Sequence, residues 1–109
     1  MDSITKEELK MMLDNKEDFV LINVLPKKYF DEQHISGSIN IPIEDKRFDR
    51  KIMDNVPDKH KKVIVHCANT ECQASPEAAK RIMEMGYTDV MDFEGGTEEF
   101  CSEFKCSPA

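Results

Sequence analysis

An α/β fold built on a mostly parallel sheet with helices on both faces is predicted by two patterns. Short apolar runs of strand length alternate with segments of helical periodicity, and proline or glycine stands at most of the junctions. Strands separated by helices need crossover connections, and these make neighbouring strands parallel.

Thr5 and Glu8 have the spacing of a capping box, and Leu9, Met12 and Leu13 share one helical face, so a first helix is expected over residues 6–14. Residues 19–24 form an apolar run interrupted only by Asn23, as a buried parallel strand requires. Pro26 ends that run and suits the first turn of a short helix over 27–32. Between His34 and Pro42 a glycine turn precedes the alternating Ile39 and Ile41, the pattern of a short strand closed by proline. Residues 44–62 are highly charged, and Phe48, Ile52, Met53 and Val56 anchor a peripheral helix there. Residues 63–66 are the second clear strand, followed by a polar loop. Ser75 as cap, Pro76 at the first helical position and Glu77 near the positive dipole end mark a helix start. Ala78, Ala79, Ile82, Met83 and Met85 carry that helix to a C-cap at Gly86. Residues 90–93 are a last strand, Gly95 and Gly96 a turn, and residues 97–105 a terminal helix.

The 109 residues are read as a single domain over 1–109, because a second one would be too short to bury its own core. Hydrophobic residues make up 39% and charged residues 34%, a balance that argues against overall disorder. A net charge of −7 with scattered lysines argues against a nucleic-acid partner. No apolar run approaches membrane-spanning length, and the first residues lack a secretory signal, so a cytoplasmic location and no membrane partner are expected. On that basis the four cysteines are read as reduced thiols for chemistry or metal binding, not as a disulfide framework.

Cys67 stands where a strand meets a polar loop, eight residues before a helix start. Inward-facing N–H groups of such a loop, together with the helix dipole, favour an anion. They lower a thiol pKa and stabilise a thiolate or persulfide. The competing reading is a small buried residue that closes the strand.

These residues lie within longer blocks that resemble the rhodanese family over nearly the whole chain. Residues 21–24 stand where the family has its Ile-Asp-Val-Arg strand end. Tyr29, His34, Ile35, Gly37, Asn40, Ile41 and Pro42 match its Tyr…Gly-His-Ile-Pro-Gly-Ala…Asn-Ile-Pro segment. His66 and Cys67 fit the strand that ends in the active-site cysteine, Ala78, Ala79, Gly86 and Tyr87 the following helix, and Gly95, Gly96 and Phe100 the Gly-Gly…Trp ending. The resemblance implies a central, mostly parallel five-stranded sheet flanked by helices on both faces. It implies that Cys67 is catalytic and becomes a persulfide, cradled by a substrate-binding loop of Ala68, Asn69, Thr70, Glu71, Cys72 and Gln73. The implied activity is that of a sulfurtransferase or sulfur carrier without cofactor or metal. Cys67 takes sulfane sulfur from a small donor (thiosulfate, polysulfide or a low-molecular-weight persulfide) and passes it to a thiol, a protein cysteine or another nucleophile. His34 is expected to serve the scaffold.

The departures are informative. Asn23, Leu25 and Gln33 replace the family's aspartate, arginine and glycine, so a frequent scaffold ion pair is missing, a small loss when exposed. The loop carries Glu71 and no base, so a dianion must rely on backbone donors, and weak thiosulfate:cyanide activity is expected. Cys72 is a candidate resolving thiol for a Cys67 persulfide or sulfenate, or equally a small loop residue pointing inward.

Three rivals are weighed. A phosphatase of the rhodanese-shaped cell-cycle type would need an arginine where Gln73 stands. A metal site is suggested by the two Cys-x4-Cys pairs, although a pair spaced by five on a terminal helix does not present both sulfurs to one ion. Otherwise Cys101 and Cys106 read as a core residue and a tail thiol, with a disulfide or a partner contact for Cys106 left open. The third rival is a non-catalytic module that senses redox or sulfur state or binds a partner.

Overall fold

The structure is a computed structural model and describes residues 2–108. Along the chain run β1 (Asp2–Ser3), α1 (Lys6–Asp14), β2 (Phe19–Asn23), α2 (Lys27–Glu32) and β3 (Ile39–Asn40). They are followed by α3 (Phe48–Asn55), β4 (Lys62–His66), α4 (Ala74–Glu84), β5 (Val90–Asp92) and α5 (Gly96–Glu103). The strands form one sheet in the order β1-β5-β4-β2-β3, and every pairing is parallel. The α/β expectation holds, and β1 is the strand that apolar patterning did not reveal. It is two residues long and polar, and it exists through its pairing with β5.

Each inner strand alternates between two cores, as a period of two dictates. Ile22, Val24, Val63, Val65 and Cys67 face Phe48 and Ile52 of α3 and Ala78, Ala79 and Ile82 of α4. Leu21 and Ile64 point to the opposite face, against Leu9 of α1, Phe93 and Phe100 of α5. Burial of each such Leu, Ile or Phe contributes about 1.5–3 kcal/mol, and β4, covered on both faces, is the best-held element of the sheet. The capping box of α1 is present, with Thr5 Oγ1 accepting from the Glu8 N–H and Glu8 Oε1 from the Thr5 N–H, both at 3.1 Å. Gly86, at φ +101, turns the chain out of α4.

Three expectations are corrected. The helix after the polar loop begins at Ala74 with Gln73 as its N-cap, so Ser75 does not cap it but lies buried in its first turn. The terminal helix ends at Glu103, and Phe104 adopts extended backbone (φ −116, ψ 155) that folds the tail back on α5. That reversal brings Cys106 to a Cα–Cα distance of 5.6 Å from Cys101, and the two form a disulfide. Cys67 and Cys72 form another, at 6.4 Å. Both distances lie within the normal disulfide range, so all four cysteines are paired and not free thiols. Cys67 packs in the α3/α4 core and the Cys101–Cys106 pair against the α1/α5 core, so the four sulfurs cannot converge on one ion. Among the described residues no helix is long and apolar enough to cross a membrane.

Candidate functional site

Cys67 follows the last residue of β4, which pairs with β2 on one side and β5 on the other. Loops at the carboxyl ends of parallel strands gather reactive groups, because adjacent crossovers leave in different directions and open a crevice. The Cys67 carbonyl is held three ways: by the Thr97 N–H at 2.9 Å, the Thr97 hydroxyl at 3.3 Å and His66 Nδ1 at 3.3 Å. The Ala68 carbonyl accepts from the Glu98 N–H at 2.9 Å. Gly96 makes this docking possible. Its φ is +68, and a Cβ there would lie 2.6 Å from the Cys67 and Ala68 carbonyl oxygens.

Asn69 shapes the rest of the loop. Its Oδ1 accepts from the Glu71 N–H at 3.0 Å, its carbonyl from the Cys72 N–H at 3.2 Å, and its Nδ2 donates to Glu98. The turn returns Cys72 over Cys67. The Glu71 and Cys72 amides are therefore spent inside the loop in this disulfide-closed form, although both belong to the segment expected to cradle the sulfur. Cys67 is 1% exposed and Cys72 is partly exposed. A cavity of about 180 Å³, lined by Asn69, Thr70, Cys72, Gln73, Ser75 and Asp92 among others, opens on the Cys72 side. Glu94 joins its wall and no basic side chain does.

Two neighbours of the sulfur escaped the sequence reading. Ser75 Oγ lies 3.4 Å from Cys67 Sγ. A disulfide or thiolate sulfur carries no proton, so the hydroxyl is the donor in either state. Asp92 is inward-facing on β5 opposite Val65 and also reaches Ser75, with one carboxyl oxygen buried and unpartnered. Burial pushes its carboxyl above the usual carboxylate range, and the Ser75 hydrogen bond works against that shift. Protonated Asp92 can donate to Ser75 and leave the Ser75 proton to the sulfur, whereas ionised Asp92 takes that proton for itself. A signal was there to find. An acid two residues after Val90, in a strand whose alternate positions are buried, must face the same core.

His66 is fully buried on the opposite face, with its ring 6.4 Å from that of Phe93 in an edge-on arrangement. Its Nδ1 must carry the proton, because its partner is a carbonyl, and Nε2 is left without one. Burial pushes its pKa down to about 4, so the ring is neutral near neutral pH. His34 is a scaffold residue in its contacts: Nδ1 donates to the Phe30 carbonyl at 2.7 Å, the ring stacks on Phe30 at 3.8 Å, and its backbone pairs with Ser107. Asn23 serves the strand end, its Oδ1 accepting from the Leu25 N–H at 2.9 Å. Gln73 is exposed at the head of α4.

The comparisons with known proteins agree with the fold. The chain is 34% identical over 74 residues to thiosulfate sulfurtransferase PspE of Escherichia coli K12, covering 68% of this chain and 67% of that one. The crystal structure of the Alr3790 protein from Anabaena superposes with a TM-score of 0.84 at 19% identity, over 95% of this chain and 90% of that one, a likeness of fold. A rhodanese with anions from E. coli gives 0.65 at 29% identity, over 83% and 98%. The model of the rhodanese-like domain matches residues 5–103, nearly the full length on which the blocks around His34, Cys67 and Gly95 were read, and the chain belongs to that family.

Proposed function

We propose that the protein is a sulfurtransferase or sulfur carrier whose working atom is Cys67 Sγ. The observation that carries this reading is the position of Cys67, at the carboxyl end of a central parallel strand, with the Ser75 hydroxyl 3.4 Å from its sulfur. The Cys67–Cys72 disulfide must first be reduced, because the thiolate is the nucleophile. The thiolate attacks the sulfane sulfur of a donor. With thiosulfate, the S–S bond of the donor breaks, sulfite leaves with its electron pair, and Cys67 becomes a persulfide. An acceptor thiol or protein cysteine then attacks the outer sulfur, and Cys67 leaves as the thiolate. The cavity wall holds Asp92 and Glu94 and no cation, so a dianionic donor is disfavoured and weak thiosulfate:cyanide turnover follows. A neutral persulfide or polysulfide donor, which avoids that repulsion, fits better.

The burial of Cys67 beneath Cys72 favours a second reading, a redox- or sulfur-sensing module without turnover. Mass spectrometry after reduction and incubation with donor separates the two. A sulfurtransferase takes one sulfur atom from the donor, whether it is then held as a persulfide, passed to an added thiol or released as sulfide, and this uptake is lost in Cys67→Ser. Labelling that persists in Cys67→Ser defeats the assignment of Cys67, and a persulfide that no thiol discharges favours the sensor.

A further inference from the structure

We propose that Cys72 is the exit route for the sulfur that Cys67 acquires, so that the protein releases sulfane sulfur as hydrosulfide and finishes each cycle as the Cys67–Cys72 disulfide. This rests on the persulfide reading of Cys67 and assigns that persulfide a fate within the chain. Three features support it. First, the two Cα atoms are 6.4 Å apart, a separation from which the sulfurs bond without moving the backbone. Secondly, hydrogen bonds that do not involve sulfur keep both residues in place. Asn69 folds the turn through the Glu71 and Cys72 amides, while Thr97 and His66 hold the Cys67 carbonyl. Cys72 therefore stays beside Cys67 when the bond is open, and attack from within the loop has the advantage of a prepositioned reactant. Thirdly, Cys67 is 1% exposed while Cys72 lines the cavity, so Cys72 lies between a persulfide on Cys67 and any thiol arriving from solution.

The step balances. The Cys72 thiolate attacks Cys67 Sγ, the Sγ–Sγ bond forms, and the bond from Cys67 to the sulfane sulfur breaks. The outer sulfur leaves with the electron pair as hydrosulfide. The two cysteine sulfurs are oxidised, and the sulfane sulfur is reduced. The acidic wall of Asp92 and Glu94, with Glu71 exposed nearby, favours departure of the anion over its return. A dithiol reductant then opens the disulfide and is itself oxidised to a disulfide. Over one cycle with thiosulfate, the donor and one dithiol give sulfite, hydrogen sulfide and an oxidised dithiol.

Trypsin places Cys67 and Cys72 in one peptide, residues 63–80, separate from Cys101 and Cys106, which makes the test direct. The reduced full-length protein, Cys72→Ser and Cys72→Ala are freed of reductant, treated anaerobically with glutathione persulfide and, in parallel, with thiosulfate, then desalted. The peptide mass and the sulfide released are measured. The parent should yield sulfide equivalent to the sulfur taken up and a peptide lighter by two hydrogens, while both variants retain one added sulfur and sulfide falls to background. A parent that keeps the added sulfur with Cys72 still free, or variants that release sulfide as fast as the parent, would overturn the proposal and leave the Cys67 reading intact. Failure of every form to gain sulfur overturns both.

Discussion

The two Cys-x4-Cys pairs have the same spacing and opposite characters. Cys101–Cys106 joins a helix to the tail that follows it, and the adjoining Ser107 pairs with the His34 backbone at 2.7 and 2.8 Å. Cys67–Cys72 closes a loop already held by Asn69, Thr97, His66 and Gly96, and it brings together a buried sulfur, a hydroxyl and an inward-facing acid. The lesson is that spacing sets whether a bond can form, whereas the surroundings set what the bond is for. The tail pair fastens the chain end together with the Ser107 hydrogen bonds to His34 and Ser36. The loop pair sits in a frame of hydrogen bonds that do not involve its sulfurs, as a site that cycled would require.

The comparison is broken most severely at Gly96. Gly96→Ala introduces a Cβ against the Cys67 and Ala68 carbonyls at positive φ, and should cost roughly 3–5 kcal/mol in urea unfolding, with loss of sulfur loading. Full stability in that variant would mean that the loop does not dock on α5 as described. The next largest effect is a pH dependence confined to the loop end. His66 has a native pKa of about 4 against 6.5 for the free side chain. As pH falls through that window the unfolded chain binds a proton that the native ring refuses, so stability is present above it and is lost below. The full effect is up to about 3 kcal/mol. Urea midpoints across the window should show this slope in the parent and not in His66→Asn.

Cys106→Ser should then lower stability by about 2 kcal/mol, the chain-entropy value for so short a loop, while sulfur loading of Cys67 is unchanged. Equal loss of loading would dissolve the contrast between the pairs. The smallest effect is expected from Asp92→Asn. The amide can donate to Ser75 and leave the Ser75 proton to the sulfur, so the Cys67 thiol pKa should fall by up to about one unit, read from the pH dependence of alkylation in the reduced protein. A rise would reverse the role assigned to Asp92.

Much of the scaffold was legible because its signals are local. The capping box at Thr5 and Glu8, Pro26 and the run of residues 19–24 each mark an element through its own sequence. β1 was not legible, since two polar residues become a strand only when β5 offers them an edge. At the candidate site, the position of Cys67 at the end of a strand, ahead of a polar turn, was legible from the local pattern. Ser75 was misassigned because a serine before a proline satisfies the local rule for a cap, and only the packing of α4 on β4 turns it towards the sulfur. The state of the cysteines failed for a similar reason. Whether two sulfurs meet depends on where a helix stops, and α5 stops two residues earlier than its residue types suggested.

One arrangement at the head of α5 ties these regions together. No side chain caps that helix; the Thr97 and Glu98 amides are satisfied by the carbonyls of Cys67 and Ala68, while the other end of the helix is clamped through Cys101. The loop thus completes a helix that belongs to a distant part of the chain. If residues 67 and 68 shift, either the whole rod travels with them or its first amides are left bare, so the two sulfur pairs sit at opposite ends of one lever.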